Sequence, residues 1–232
     1  MVASDEYRRN RRALIAAAAA GGALVLASRS GAAEHAKAKA AAEDWVSPPE
    51  DLMREHGVLE RLLLIYDACA TTVAAGDAPP AVLPDAARLL RRFIEDYHER
   101  LEEEHLFPRF EKAARQVELV RVLREQHHQG RRLTDDVERL AAGSSASDRK
   151  GLVAVIAAFG RMYRPHAARE DTVLFPAFRS VVSAKEFHEL GERFEDKEHE
   201  LFGKAGFEGI VDEVAAFERT LGIEDLKQFT PA

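Results

Sequence analysis

Apolar residues recur along the chain every three to four positions and rarely alternate with polar ones, which is the pattern of amphipathic helices. Four stretches carry it, at residues 47–75, about 84–108, 115–142 and from about 149 through 173, with short loops between them. Four such helices predict an all-α, up-down-up-down four-helix bundle, here over residues 47–180. Residues 181–232 are expected to add a C-terminal helical extension of two helices packed on the bundle.

Local signals predict where these helices begin and end. Ser47, Pro48 and Glu50 have the form of a capping box at the start of the first helix. The loop at residues 143–148 is expected to end in a capping residue. Proline lacks the backbone N–H that a helix interior needs, so the Leu-Phe-Pro at residues 106–108 is expected to bend or end the second helix, and Pro165 to kink the fourth.

One motif occurs twice, as HERLEEEHLFPRF at residues 98–110 and as HAAREDTVLFPAF at residues 166–178. Each copy has a histidine, a glutamate four residues later, and then Leu-Phe-Pro-x-Phe, which is expected to seat the end of a helix. Helix positions i and i+4 lie on one face, roughly 5–6 Å apart at Cβ, so both side chains can reach one ion. The two pairs are His98 with Glu102 and His166 with Glu170.

The first and third helices each place one histidine on their apolar stripe. His56 lies on the stripe of the first helix, and its neighbours Arg54 and Glu55 are expected to point away from it. His127 lies on the stripe of the third helix. His128 has arginines four residues to either side, so it is expected to face water.

A lone histidine on an apolar face is more often an ordinary core residue than a metal ligand. Burying four imidazoles and two carboxylates without a metal or dense pairing would cost several kcal/mol, however. The set therefore favours a pair of transition-metal ions, and it is too poor in thiolate for an iron–sulfur or structural zinc site. The predicted metal ligands are His56, His98, Glu102, His127, His166 and Glu170.

Other polar residues are expected to play lesser parts. His105 lies on the inward stripe of the second helix, but its counterpart in the second copy is Val173, so we expect a core residue or a support for the ligands. Glu103 and Asp171 match between the copies; they either support the ligands or are surface acids, and we prefer the surface interpretation. A solvated face is expected for His188, His199 and the acidic run 195–198.

Composition narrows the class of protein. The net charge is −7, with no basic cluster beyond the N-terminus, which argues against a nucleic-acid partner. The single cysteine, Cys69, excludes an internal disulfide and a cysteine-rich metal knuckle. It is expected to be a small buried residue on the first helix, with a reactive thiol as the alternative.

The first 40 residues have the layout of a signal peptide, with four arginines between residues 8 and 12, an apolar stretch over 13–27 and then small residues. The arginine pair before the apolar stretch resembles a twin-arginine export signal, which predicts a periplasmic or extracytoplasmic location for the protein. Residues 41–46 are expected to form a linker between this signal and the bundle. The apolar stretch is shorter than the about 20 residues of a membrane span, so no span is expected after processing. An uncleaved membrane anchor is the alternative. Residues 1–40 hold seven Lys and Arg and three acids, so their removal changes the net charge from −7 to −11.

Over about residues 50–179 the chain resembles the hemerythrin-like, or HHE cation-binding, domain. The resemblance rests on R-E-H at His56, H-x-x-G-R at His127, and the two H-x-x-x-E motifs before L-F-P at His98 and His166. It implies two non-haem irons bridged by two carboxylates and an oxygen atom, with an open position for dioxygen; the ligand set itself also admits manganese or zinc. Carried over, the terminal ligands are His56, His98, His127 and His166, and the bridges are Glu102 and Glu170.

The chain departs from the oxygen-carrying hemerythrins at two places. They have a histidine four residues after the third-helix ligand, where this chain has Arg131, and their final carboxylate is an Asp at i+5 where this chain has Glu170 at i+4. One nitrogen ligand fewer leaves more open coordination, which favours reactivity over reversible carriage.

Three functions follow from this resemblance. The favoured one is a protein that binds dioxygen, nitric oxide or peroxide at a buried di-metal centre. The second is a di-iron peroxidase or oxidase, although such bundles usually have more than two carboxylates. The third is an iron-stabilised sensing or interaction module that a partner reads through the C-terminal helices.

Overall fold

The computed structural model describes residues 46–231, and every regular element in this range is helical. The predicted signal peptide at residues 1–40 and all but the last residue of the linker at 41–46 lie outside the described residues. The six helices of the described range are α1 (Pro48–Ala74), α2 (residues 83–112), α3 (Val117–Ala141), α4 (residues 146–178), α5 (Ala184–Phe202) and α6 (Gly206–Leu221). Single 3₁₀ turns occupy Gly203–Ala205 and Leu226–Phe229.

The first four helices enclose one core. Helix α1 contacts α2 and α4, and α3 also contacts α2 and α4, which is compatible with the four-helix bundle that the hydrophobic pattern predicts. Large aromatic side chains with almost no exposed surface fill the space between them, among them Tyr66, Phe93, Phe107, Phe159 and Phe175. Cys69 is also fully buried, and burial raises the pKa of its thiol to about 11, so its assignment as a core residue is confirmed.

Helices α5 and α6 follow the four core helices, contact each other, and both pack on α1. Phe194 and Val214 supply apolar contacts and are fully buried. Arg61 on α1 donates two hydrogen bonds to the Glu218 carboxylate on α6, at 2.8 and 2.6 Å. Within residues 46–231, no helix combines the length and the apolarity that crossing a membrane requires.

Two helices widen into π-helical turns at the repeated motif. In helix α2, the α-helical segments Leu83–Leu89, Glu99–Leu101 and Phe107–Lys112 are separated by the π segments Leu90–His98 and Glu102–Leu106. In helix α4, one π segment, Glu170–Leu174, separates the α-helical segments Ala146–Arg169 and Phe175–Phe178. The Phe107 N–H bonds the Glu102 carbonyl and the Phe175 N–H bonds the Glu170 carbonyl, each five residues back. Such turns are rare and concentrate at functional sites.

Neither Pro108 nor Pro165 ends its helix. Helix α2 does not end at Pro108 but continues to Lys112, because the π turn places this proline in the first turn of a new α segment, where its missing N–H is not needed. Helix α4 likewise continues through Pro165. The Glu50 carboxylate accepts from the Ser47 N–H at 3.2 Å, as the capping box predicts. The start of α4 differs, since Ser145 caps it and the residue expected there, Asp148, is its capping-box partner.

Candidate metal centre

All six predicted ligands lie together in the core between α1, α2, α3 and α4, and all six are buried. Their ligand atoms form two overlapping groups, and within each group every pair of atoms lies within 4.8 Å. The first position comprises His56, His98, Glu102 and Glu170. The second position comprises His127, His166, Glu102 and Glu170.

The two carboxylates belong to both positions. Glu170 Oε2 lies 3.4 Å from His56 Nε2 and 3.0 Å from His166 Nε2. The other carboxylate, Glu102, places its Oε2 at 3.7 Å from His98 Nε2 and 3.4 Å from His127 Nε2. Each carboxylate therefore stands between one histidine of each position, which is the arrangement needed to bridge two ions.

The donor atoms at this centre fit a metal pair better than a metal-free core. Among the described residues, both oxygens of Glu102, both oxygens of Glu170 and the Nε2 of His98 are buried without a hydrogen-bond partner. Each such orphan costs roughly 1–3 kcal/mol, and more where the group is charged. Cations held by imidazole nitrogen and carboxylate oxygen would satisfy all five atoms at once, and this donor set suits iron, manganese or zinc.

Each ligand histidine is held from behind through its Nδ1. The Nδ1 atoms lie near the side-chain oxygens of four further residues, with His56 at 2.7 Å from Asp171, His98 at 2.6 Å from Glu55, His127 at 3.1 Å from Glu103, and His166 at 2.9 Å from Gln126. An acceptor at Nδ1 places the ring proton there and turns the lone pair of Nε2 toward the metal. The four rings are therefore oriented for binding by this chain's own residues.

All four of these partners correct or extend the sequence interpretation. The preference for Glu103 and Asp171 as surface acids is wrong, because both hold a ligand histidine on a neighbouring helix. Glu55 does not point away into solvent but is fully buried against His98. Gln126 was not predicted at all. Their sequence positions repeat between the two helix pairs. Glu103 and Asp171 directly follow Glu102 and Glu170, whereas Glu55 and Gln126 directly precede His56 and His127.

The phenylalanine of each Leu-Phe-Pro also belongs to the centre. Phe107 stacks on the ring of His127, with centroids 5.4 Å apart and planes 23° apart. Phe175 stacks on His56 at 5.4 Å and 20°. Phe107 on α2 therefore covers His127 on α3, and Phe175 on α4 covers His56 on α1. Each apolar ring face shields the histidine from water, in addition to packing its own helix.

The remaining histidines of residues 46–231 lie away from the centre. His105 is half-exposed and packs on Phe194 of α5, with ring centroids 5.6 Å apart, so it belongs to the contact with the extension. His128 is exposed, as predicted. The predicted solvated face is wrong for Glu198, which is only 8% exposed and accepts a hydrogen bond from the Phe207 N–H at 2.9 Å. Exposed positions are confirmed for His188 and His199.

The protonation of the ligand rings follows from burial and from these partners. Burial lowers the pKa of His127 to about 4, although Glu103 opposes the shift, so this ring is neutral and ready to bind at pH 7. Burial and the nearby His56 hold the pKa of His98 well below its usual range. Burial also acts against a charge on His56, but the hydrogen bond to Asp171 and the nearby Glu170 carboxylate outweigh it and raise the pKa of His56 to about 9. A metal must displace that proton.

The two shared carboxylates titrate as a pair. Burial and the neighbouring Glu170 raise the pKa of Glu102 well above its usual range. Burial acts in the same direction on Glu170, but the adjacent His166 and His56 hold the pKa of this carboxyl well below its usual range. Without a cation the pair therefore retains a proton, because two charges cannot be buried so close together unless something positive stands between them.

An ion-pair cluster occupies the place where the oxygen carriers have a further histidine. Arg131 lies 2.9 Å from Glu99 and 2.8 Å from Glu103, and the Tyr163 hydroxyl donates to Glu99 at 2.6 Å. A Cβ added at Gly130 would overlap that hydroxyl, so glycine is needed there. Arg131 therefore supports the ligand sphere through Glu103 and adds no ligand of its own.

Comparisons with known proteins agree with this geometry. Residues 47–178 match the Hemerythrin HHE cation binding domain. Uncharacterized proteins of Mycobacterium bovis and Mycobacterium tuberculosis are 52% identical to the chain over 191 residues, which is 81% of this chain and 75% of each relative. No solved structure matches the chain significantly. The chain belongs to the hemerythrin HHE cation-binding domain family.

Proposed function

We propose that this chain is a non-haem di-iron protein, built as an up-down-up-down four-helix bundle, that binds dioxygen, nitric oxide or peroxide. The observation that carries the proposal is the pair of overlapping ligand groups that share Glu102 and Glu170. Four protein ligands per ion leave coordination room for a small exogenous molecule. Manganese or zinc would find the same donors, so metal identity is part of the test.

The protein's share of this function is preorganisation. The acceptors behind each Nδ1 hold the four rings, the two glutamates stand between the positions, and Phe107 and Phe175 line the rings with apolar surface. When bound, two irons would supply a redox-active site for a small oxygen or nitrogen species. The buried site would keep bulk water away from that species.

Binding is favoured over oxidation by the ligand count. The two positions together offer four imidazoles and only two carboxylates, whereas di-iron bundles of the ferritin-like class use four glutamates. A peroxidase-type enzyme is the second candidate, and one observation favours it. The ring of buried Tyr163 lies 5.5 Å from that of His166, and its hydroxyl donates to Glu99, so a phenol lies beside the predicted ligands.

The test begins with protein expressed under iron-replete conditions. We expect about two irons per chain, and absorption bands that change when the reduced protein meets dioxygen, nitric oxide or peroxide. Sustained consumption of peroxide would favour the enzyme, and stoichiometric binding the binding protein. The Glu102→Ala, Glu170→Ala double variant should lose the metal, while His128→Ala, on an exposed histidine, should retain it. A folded helical protein without stoichiometric metal would refute the proposal.

We propose further that the protein is exported by a twin-arginine route. The support is the pair Arg11-Arg12 ahead of an apolar stretch at residues 13–27, and a cofactor loaded in the cytoplasm suits a route that moves folded proteins. Replacing both arginines with lysine should leave the protein in the cytoplasmic fraction. Recovery of the wild-type protein in the membrane fraction with residues 1–40 intact would support the uncleaved anchor instead.

A further inference from the structure

We propose that the two metal positions are inequivalent and fill in order, the His56/His98 position before the His127/His166 position, because of the residues behind the histidines. This inference rests on the proposed di-metal function. It concerns Glu55 and Gln126, which we assign as positioning residues that set the affinity of each position.

The two positions are built on the same plan. At each position, the residue that directly precedes His56 or His127 in the sequence bonds the Nδ1 of the second histidine of that position. At the first position that residue is Glu55, 2.6 Å from His98 Nδ1. At the second it is Gln126, 2.9 Å from His166 Nδ1. The equivalent acceptor is therefore a carboxylate at the first position and a neutral amide at the second.

The second pair of acceptors widens this difference. Asp171 and Glu103 are both carboxylates, and each bonds the lone histidine of one position. Glu103 also pairs with Arg131 at 2.8 Å and with Arg100 at 3.2 Å, so much of its charge is neutralised. Among the described residues, no lysine or arginine forms an ion pair with Asp171 or with Glu55.

These contacts give the positions different electrostatic surroundings. The first position has two carboxylates behind its rings, and the second has an amide and a neutralised carboxylate. A carboxylate acceptor makes an imidazole a stronger donor to a metal than an amide does, and such outer partners typically change metal affinity by about 10–100-fold. The first position should therefore bind a divalent cation more tightly and should better stabilise an ion of higher charge.

The experiment is an anaerobic titration of the metal-free full chain with Fe²⁺, followed by calorimetry and absorption, and repeated with Co²⁺ as a spectroscopic probe. We expect two binding steps that differ by about 10–100-fold in dissociation constant. Variants that remove one ligand assign the steps. His166→Ala should retain the tight step and weaken the other, whereas His56→Ala should lose the tight step.

Two isosteric exchanges then test the assignment of Glu55 and Gln126. Glu55→Gln should weaken the first step by about 10–100-fold, and Gln126→Glu should strengthen the second by a similar factor. The double exchange should reverse the order of filling. Circular dichroism checks folding, and if Glu55→Gln fails to fold, the response of the second step to Gln126→Glu decides the matter alone.

The outcomes separate this inference from the function on which it rests. Two equal steps in the wild-type protein, or a Gln126→Glu variant whose second step is unchanged, would overturn ordered filling and leave the di-metal function standing. A wild-type chain that binds neither Fe²⁺ nor Co²⁺ would overturn the proposed function itself.

Discussion

Among the described residues, the metal centre and a neighbouring cluster of buried carboxylates differ in the donor atoms that they offer to a metal. The metal centre sets Glu102 and Glu170 among four imidazoles, whereas the acidic cluster, defined as Asp51, Glu55 and Glu198, offers oxygen alone. In the acidic cluster Arg54 pairs with Asp51 at 3.3 Å. At the centre, all four carboxylate oxygens are without a hydrogen-bond partner among the described residues. Burial of acids is common to both, and Glu55 of the acidic cluster also has one oxygen without such a partner, so the four imidazoles distinguish the centre.

Protonation explains how the acids of the acidic cluster can be buried without a bound metal. Burial, together with the neighbouring acids, raises the pKa of Asp51 to about 8 and that of Glu55 to about 8. Burial also raises the pKa of Glu198. At neutral pH Asp51 and Glu55 are therefore largely protonated in the metal-free protein, and Glu55 acts as a charged carboxylate once a metal at His98 disfavours its proton. Glu55 belongs to both clusters, since it also bonds the ligand His98, so each cluster should respond to the other.

The largest expected effect is the loss of both metals on removal of one shared carboxylate. In Glu170→Ala both positions lose a ligand, so we expect the affinity of each to fall by more than about 100-fold, beyond the effect of an outer partner. The matched variant in the acidic cluster is Glu198→Ala, which should keep two metals per chain. Metal content after dialysis measures both. An equal loss in Glu198→Ala would mean that the two clusters form a single site.

A second, smaller effect is that metal affinity should rise with pH. The pKa of His56 is about 9 and that of Glu55 about 8, so both groups hold a proton in the metal-free protein at pH 7. A metal bound to His56 and His98 displaces the first proton and disfavours the second. We expect an affinity gain of about tenfold per pH unit for each proton released.

Calorimetry in two buffers of different ionisation enthalpy counts the protons released at pH 7. An affinity that stays constant between pH 6 and pH 8 would contradict the raised pKa values. In Glu55→Gln one proton fewer should be released, which connects this measurement to the acidic cluster.

That the six predicted ligands lie together could be predicted from the sequence, because their placement depends on spacing within single helices. His98 with Glu102 and His166 with Glu170 are i, i+4 pairs, and the apolar stripe placed His56 inward. The residues behind the histidines could not be predicted in the same way. Their partners lie on other helices, so their roles depend on how the helices are rotated against one another.

Two further features depend on local structure that the sequence pattern does not report. Helix α2 continues past Pro108, where a bend or an end is expected, because a π turn places the proline in the first turn of an α segment, and hydrophobic periodicity does not report the extra residue in such a turn. Glu198 lies in an acidic run whose composition predicts a solvent-exposed face, yet its carboxylate accepts a hydrogen bond from the Phe207 N–H at the N-terminus of α6. The packing of the extension on α1, and not the composition of the run, buries this one side chain.

The smallest expected effect concerns the stability of the metal-free protein. Burial raises the pKa of Glu198, so the folded state favours its protonated form, and the stability present below the ordinary pKa of 4.5 is lost as pH rises through the raised value. Glutamine keeps an oxygen that can accept from the Phe207 N–H but cannot ionise. Glu198→Gln should therefore stabilise the metal-free protein by about 1 kcal/mol at pH 8 and by little at pH 4, as measured by urea unfolding. A stability difference that is the same at both pH values would show that packing, and not charge, sets the contribution of Glu198, and the acidic cluster would then differ from the metal centre in more than its lack of imidazoles.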